Sequence, residues 1–435
     1  MTLRACISPS LTRVFMVLTD RERGDLHSGV IEYLAAHDFS ETLVAFRNEL
    51  QMRQGRFQDK ETALERRWAT LRKLTSANQQ LESQVTVLNQ QLIDMSDPIK
   101  RAQNAKLSNM LPTDVCHFSL SGHRDCVTGV AFHAYDSIAF STSEDGSLRT
   151  WDLDTRSQRA VTSFPEAALC IAIEPPGAAT QLVAVGCGDG TCRLFESENA
   201  RVTLHGHNDA VTALQWVGDS SQSLVTASRD GEVKVWDAPR ARVVGSFATA
   251  MWVRCLAISG VSGHAFVAIG GNEEFIQIWQ LLEKKMVKTL AGHANVQCLC
   301  FTPAVAEDAL IDRFGTEEQR TKKQSENPHE CSSFLISGGR DKNIVVWNVA
   351  TATAIQTLSI HQNWIRCLSV TSNGKHVVSS GDDGKICVTD ILTGRCTKTI
   401  VAHNHFVTAF ALHPTGRPLM LTGSADKTLK LWLCA

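Results

Sequence analysis

The sequence lacks any uninterrupted apolar run of the roughly 18 residues that a transmembrane helix needs, so insertion into a membrane is not expected. It lacks a charge excess of either sign. Lys and Arg number 43 against 45 Asp and Glu, for a net charge of −2, which argues against direct nucleic-acid binding. No basic run of the nuclear-import kind occurs. No C-x-x-C pair exists among the 14 cysteines, which removes zinc ribbons and dithiol redox sites. The cysteines are scattered singly, apart from Cys298 and Cys300, and there is no secretory signal. They read as reduced, buried small hydrophobes in a cytosolic or nuclear chain. H-E-x-x-H, G-x-S-x-G and G-x-x-x-x-G-K-[ST] are all missing. Gly186, Gly188 and Gly190 form a G-x-G-x-G with no helix after it, and His403-x-His405 begins at a repeat position. No enzymatic activity, cofactor or metal is expected.

What is present falls into two textures. Residues 1–15 carry Arg4 and Arg13 without an acid and read as a disordered extension. Residues 20–97 have helical periodicity, few glycines and no proline. Thr19 and Glu22 form a capping box, after which Leu26, Val30, Ile31 and Leu34 fall on one face. Phe39, Leu43, Phe46 and Leu50 make a second short stripe. Two such helices bury too little alone, and their expected partner is a second copy of themselves. Over residues 60–96 a third helix carries Leu74, Asn78, Leu81, Val85, Leu88, Leu92 and Met95 at alternating spacings of 4 and 3. This a/d seam, with Leu at d and one Asn at a, predicts a parallel dimeric coiled coil in which Asn78 sets the register. Residues 97–114 read as a linker.

From about residue 115 the chain repeats at about 42 residues, the period of a propeller blade. The marker is a turn acid followed six residues later by Trp: Asp145/Trp151, Asp230/Trp236, Asp341/Trp347 and Asp426/Trp432. Glu273/Trp279, Asp189/Phe195 and Asp383/Thr389 are degenerate versions. Seven units predict a mainly β chain, a seven-bladed propeller over residues 115–435 behind an all-α dimerisation region. The spacings between markers are 44, 41, 43, 68, 42 and 43, and the outlier is expected to hold a flexible surface loop at 304–333.

Histidines precede several acids: His123, His207, His293, His361 and His403. They are expected to make a buried His–Asp contact, often joined by the Ser two before the acid (Ser143, Ser228, Ser424) and by the indole N–H. Blades two and four lack the histidine and should rely more on apolar packing. The strand Val115–Leu120 has no blade of its own, so it should complete the seventh and close the ring.

Several segments carry a resemblance. MVLTDRERGDLHSGVIEYLAAHDFSETLVAF from Met16 resembles a LisH dimerisation motif over residues 16–55, although Asp38 stands where that pattern has a glycine turn. LERRWATLRKL, SGHRDCVTGVAFH, LVTASRDGEVKVWD and HNHFVTAFALH follow in the order seen in the lissencephaly-1 (nuclear-distribution F-like) family. The resemblance implies a homodimeric regulator of cytoplasmic dynein, in the cytoplasm and on the cytoskeleton, at the centrosome or spindle. It also implies binding of the dynein heavy-chain motor domain through one propeller rim. The matching positions here are Arg229, Arg254, Arg340 and Trp364. NudE-type coiled-coil proteins and dynactin are the further partners implied. A role as non-catalytic subunit of a lipid (platelet-activating factor) acetylhydrolase is the alternative the same family implies. Glu144 and Asp382 place acids at the equivalent turn position in blades one and six. The fourth blade reads FATAMWVRC, one residue short, which leaves the direction of Arg254 open.

Overall fold

In the computed structural model, the described residues are 28–29, 31–32, 111–176, 181–196, 199–217, 223–259, 265–316, 319 and 334–434. The chain divides into two compact units, Met1–Lys100 and Arg101–Ala435. In the first, Ser28, Gly29, Ile31 and Glu32 are helical and Ile31 is half-buried. Leu26, Leu34, Phe39, Leu43 and Phe46 lie outside the described residues, as does the heptad seam Leu74, Asn78, Leu81, Val85, Leu88 and Leu92.

The second unit is built from seven four-stranded antiparallel sheets, each made of strands consecutive in sequence except the last. Blade one runs from Val127 to Ser163, blade two from Ala168 to Leu204, blade three from Val211 to Ala248 and blade four from Val253 to Ala291. Blade five runs from Val296 to Ser359, blade six from Ile365 to Val401 and blade seven from Val407 to Cys434. Pro112–Ser121 pairs with Thr428–Cys434 as the outer strand of blade seven, with Leu120 opposite Leu429. The two ends of the ring are thereby sewn into one sheet, and no inter-blade edge is left open.

The core is divided into seams rather than centred. Each of the seven buried apolar clusters joins two neighbouring blades. Val127, Val130 and Trp151 of blade one, for example, pack with Leu421, Leu429 and Leu431 of blade seven. Second strands such as Leu182–Cys187 and Phe334–Gly339 are buried on both faces and read as continuous apolar or small runs. Outer strands alternate exposed and half-buried positions, as in Ser157–Ser163. The tight turn after the marker acid needs a left-handed residue. Gly146 (φ 70°) and Gly231 (φ 80°) supply it without strain, whereas Lys342 and Lys427 (both φ 70°) adopt it in blades five and seven.

The insertion in blade five departs from the expected loop. Ala304–Phe314 is an α-helix. Ala306, Leu310 and Ile311 are buried in the seam between blades five and six, with Phe314 packed alongside. Their spacing makes one apolar stripe inside a polar-looking segment, and burial of that stripe outweighs the average composition. Blade six is the blade whose marker Trp is replaced by Thr389, so this is the seam that most needs added apolar mass. Gln319 and Asn348 exchange hydrogen bonds of 2.9 and 3.3 Å beyond the helix. Residues 320–333 are outside the described set.

Candidate functional site

Two sets of polar residues sit near the strand ends of the ring. The first is buried. In blade one, His123 Nδ1 lies 3.1 Å from Asp145 and Nε2 2.7 Å from Ser141 Oγ, which also accepts the Trp151 indole N–H at 2.8 Å. Blade three repeats this with His207, Asp230, Thr226 and Trp236. Blade seven repeats it with His403, Asp426, Thr422 and Trp432. Blade six keeps His361, Asp383 and Ser379 without a Trp. In blade five the ring is turned over: His293 Nε2 faces Asp341 at 3.0 Å and Nδ1 faces Ser337 at 2.6 Å, while Trp347 donates to Ser337. There the histidine sits three rather than four residues before the innermost strand, which explains the altered approach.

The hydroxyl of this network is therefore four residues before the acid, not two. Trp151 pairs across the strand with Ala139, and its indole reaches diagonally to Ser141, two residues further along the same face. Ser143 lies at the strand end, where its Oγ accepts the Asp145 N–H and donates to the Asp125 carbonyl. The same holds for Ser228 and its turn. Ser424 likewise accepts the Asp426 N–H.

Burial lowers the pKa of His123, His207, His293 and His403 despite the adjacent carboxylates, so the rings are held neutral. One proton assignment then satisfies every group: indole N–H to hydroxyl, hydroxyl to the histidine nitrogen, and the other ring N–H to Asp. Burial opposes ionisation of Asp145, but donors from Ser147, the Arg124 backbone and His123 outweigh it and hold the carboxyl down at about 2. His207, Asp230 and Glu232 lie close enough for a metal, yet Asp230 is already taken by His207 and Glu232 by Lys234. These groups brace the ring.

Blades two and four replace the network as a set. In blade two Phe164 stands in the histidine place and packs on Phe195 at 5.9 Å. In blade four Phe247 stacks on Trp279 at 4.6 Å, and the indole donates to Gln277 instead of a hydroxyl.

The second set is the rim. In all seven blades a β-bulge interrupts the innermost strand at its second residue, which is re-aimed out of the ladder. Three blades carry threonine there. Thr128, Thr212 and Thr408 donate to the next blade's backbone. Blades four and six carry Arg254 and Arg366 instead. Arg254 sits in the same register as its counterparts, with Val253 opposite Gly271, and its Nε donates to Asn272. The short spacer therefore shifts the preceding turn and leaves the arginine in place.

Burial, followed by the charges of Arg340, Arg229 and Arg366, lowers the pKa of Arg254, so its guanidinium sits in a field of like charge. Trp364 completes the group. Arg340 lies 4.3 Å and Arg366 5.3 Å from its ring centroid. Arg366 is spoken for, because it forms a two-pronged pair with buried Asp382 at 2.7 and 2.8 Å. The acid at this turn is thus neutralised within blade six, whereas Glu144 remains exposed. Sequence reasoning selected Arg229, Arg254, Arg340 and Trp364 and missed Arg366. Its signal was the shared W-x-R of Trp252–Arg254 and Trp364–Arg366.

Comparison with known proteins agrees with this architecture. The WD domain, G-beta repeat model matches residues 114–152, 199–237, 327–348, 352–390 and 394–432. The stretches it passes over contain the three inner strands of blade two and all of blade four, where the network is replaced. The PAC1 LisH domain model matches residues 20–54. Nuclear distribution protein PAC1 of Gibberella zeae is 30% identical over 380 residues, covering 83% of this chain and 80% of that protein. Nuclear distribution protein nudF of Aspergillus niger is 29% identical over 377 residues, with 83% and 81% covered. Nuclear distribution protein PAC1 of Arthroderma benhamiae is 27% identical over 383 residues, with 83% and 80% covered. From a LisH segment to a seven-bladed ring of WD repeats, over four-fifths of its length, this chain belongs to the nuclear distribution protein PAC1/nudF family.

Proposed function

We propose that this chain is a non-enzymatic regulator of cytoplasmic dynein that binds the heavy-chain motor domain through the arginine and tryptophan rim. The family resemblance carries the identity of the partner. One observation supports the face: Arg340 stacks on Trp364, the charges of Arg340 and Arg229 act on Arg254, and among the described residues none of the three has a carboxylate partner, while the neighbouring acid Asp382 is consumed by Arg366. Such a surface leaves like charges facing one another until an acidic partner arrives, and Arg and Trp are favoured interface anchors. The buried histidines have no free lone pair or proton to offer a substrate in the assignment above, which supports binding over catalysis. Dimerisation through residues 16–55 and 60–96 would present two rims and raise avidity. The setting would be nuclear positioning, spindle or centrosome function and organelle transport, with NudE-type proteins and dynactin as further partners.

Affinity capture tests this reading. The intact chain should retain dynein heavy chain from a lysate of its own cells, and a variant carrying Arg229→Ala, Arg254→Ala and Arg340→Ala should lose it. Retention by both variants would move the function to another surface. Capture of lipid acetylhydrolase subunits alone would favour the scaffold role instead.

A further inference from the structure

The rim contains the same three-residue unit twice. Arg340, Trp364 and Arg366 occupy the turn of blade five, the residue before the innermost strand of blade six, and the bulge of that strand. Arg229, Trp252 and Arg254 occupy the same three positions in blades three and four. The two units differ in one respect. Trp364 is half-buried, with two guanidiniums against its ring. Trp252 is 61% exposed, and among the described residues no other tryptophan is exposed. No cation stacks on it there, and Arg254 turns to Asn272 instead.

We propose that Trp252 is a second tryptophan anchor for the protein partner of this rim, open in the free chain and covered in the complex. The proposal rests on the reading of the rim as the motor-binding face. Its occupant is a protein surface that brings an apolar side chain onto the indole and carboxylates onto Arg229 and Arg254. Desolvation by such a partner strengthens both the ion pairs and any cation stacking on the ring. A nucleic acid fits less well. Glu144 is exposed on the same circle of turns, and the chain carries a net charge of −2 rather than a continuous basic track.

The test uses full-length chain and purified dynein motor domain. Trp252→Ala should weaken the dissociation constant by about 30-fold, and Trp252→Phe by less than about threefold, as for an aromatic hot spot. The melting temperature should not move, because the ring is mostly in water. With 5-fluorotryptophan in the chain, the fluorine signals of Trp252 and Trp364, assigned by single Phe variants, should both shift on complex formation. A Trp364 shift with Trp252 unmoved, or Trp252→Ala binding within about twofold of the parent, would overturn the second anchor and leave the rim reading intact. A complex that moves neither signal, or no complex at all, would remove the rim reading and this proposal with it. Tighter binding to single-stranded oligonucleotide than to the motor domain would overturn the choice of a protein partner.

Discussion

The histidine network and the arginine rim meet in blades three and five, where Arg229 and Arg340 directly precede the network acids Asp230 and Asp341, yet the two sets obey opposite rules. His207 is buried and Asp230 half-buried, and every donor in their network has an acceptor. Arg229 is the residue immediately before Asp230, and it stands exposed, its charge acting on Arg254. Buried polar groups are tolerated where they satisfy one another, and they then specify one arrangement of the turn. Cations left facing cations contribute nothing to the fold, so their presence points outward. Neighbours in sequence thus divide between a satisfied polar network and exposed charge.

Mutations should separate the two sets. The largest effect is expected for Trp347→Ala, which opens a cavity in the seam of blades four and five and strands Ser337. A loss of about 3–5 kcal/mol in denaturant unfolding is expected. Asp230→Ala comes next, because it leaves the His207 ring and the Asn208 N–H without their acceptor, at about 1–3 kcal/mol. Asp230→Asn should recover part of this.

Acid should act on the same network. The four histidines have pKa values lowered below the ordinary 6.5, so above that pH both folded and unfolded chains carry them neutral. As pH falls below 6.5, the unfolded chain takes up protons that the folded ring refuses, and stability declines. The limit is about 1.4 kcal/mol per pH unit for each histidine that stays neutral. A second loss follows below pH 3.8, where Asp145, held at about 2, and its counterparts in blades three, six and seven resist protonation in the fold. Unfolding curves at pH 7.5, 5.5 and 4.5 would reveal the first step, and equal stability at all three would contradict the neutral assignment.

The smallest stability effect belongs to the rim. Arg229→Ala should change unfolding free energy by less than about 0.5 kcal/mol while weakening the partner complex. A large destabilisation there would erase the distinction between the two sets.

Much of the fold was legible in the residues. Seven marker acids counted the blades, a histidine with a Trp marked four complete networks (three of them as Gly-His), and an orphan strand announced the closure. Local pattern suffices for these features because a blade is a local meander whose turn chemistry repeats. The inserted helix was hidden by its charged composition. The hydroxyl partner was misplaced by two residues, because counting along one strand cannot show which residue an indole reaches diagonally from the next.

The sequence by itself determined the repeat number, the ring closure and the buried networks, since each depends on contacts within a blade or a short motif. Only the tertiary structure decided that Arg254 and Arg366 sit on bulges, that Arg366 is spent on Asp382, and that Trp364 is clamped while Trp252 is free. Those facts depend on how adjacent blades approach one another around the ring. That approach is set by packing in the seams, which join residues 40 or more positions apart, as in the Cys255–Val296 contact.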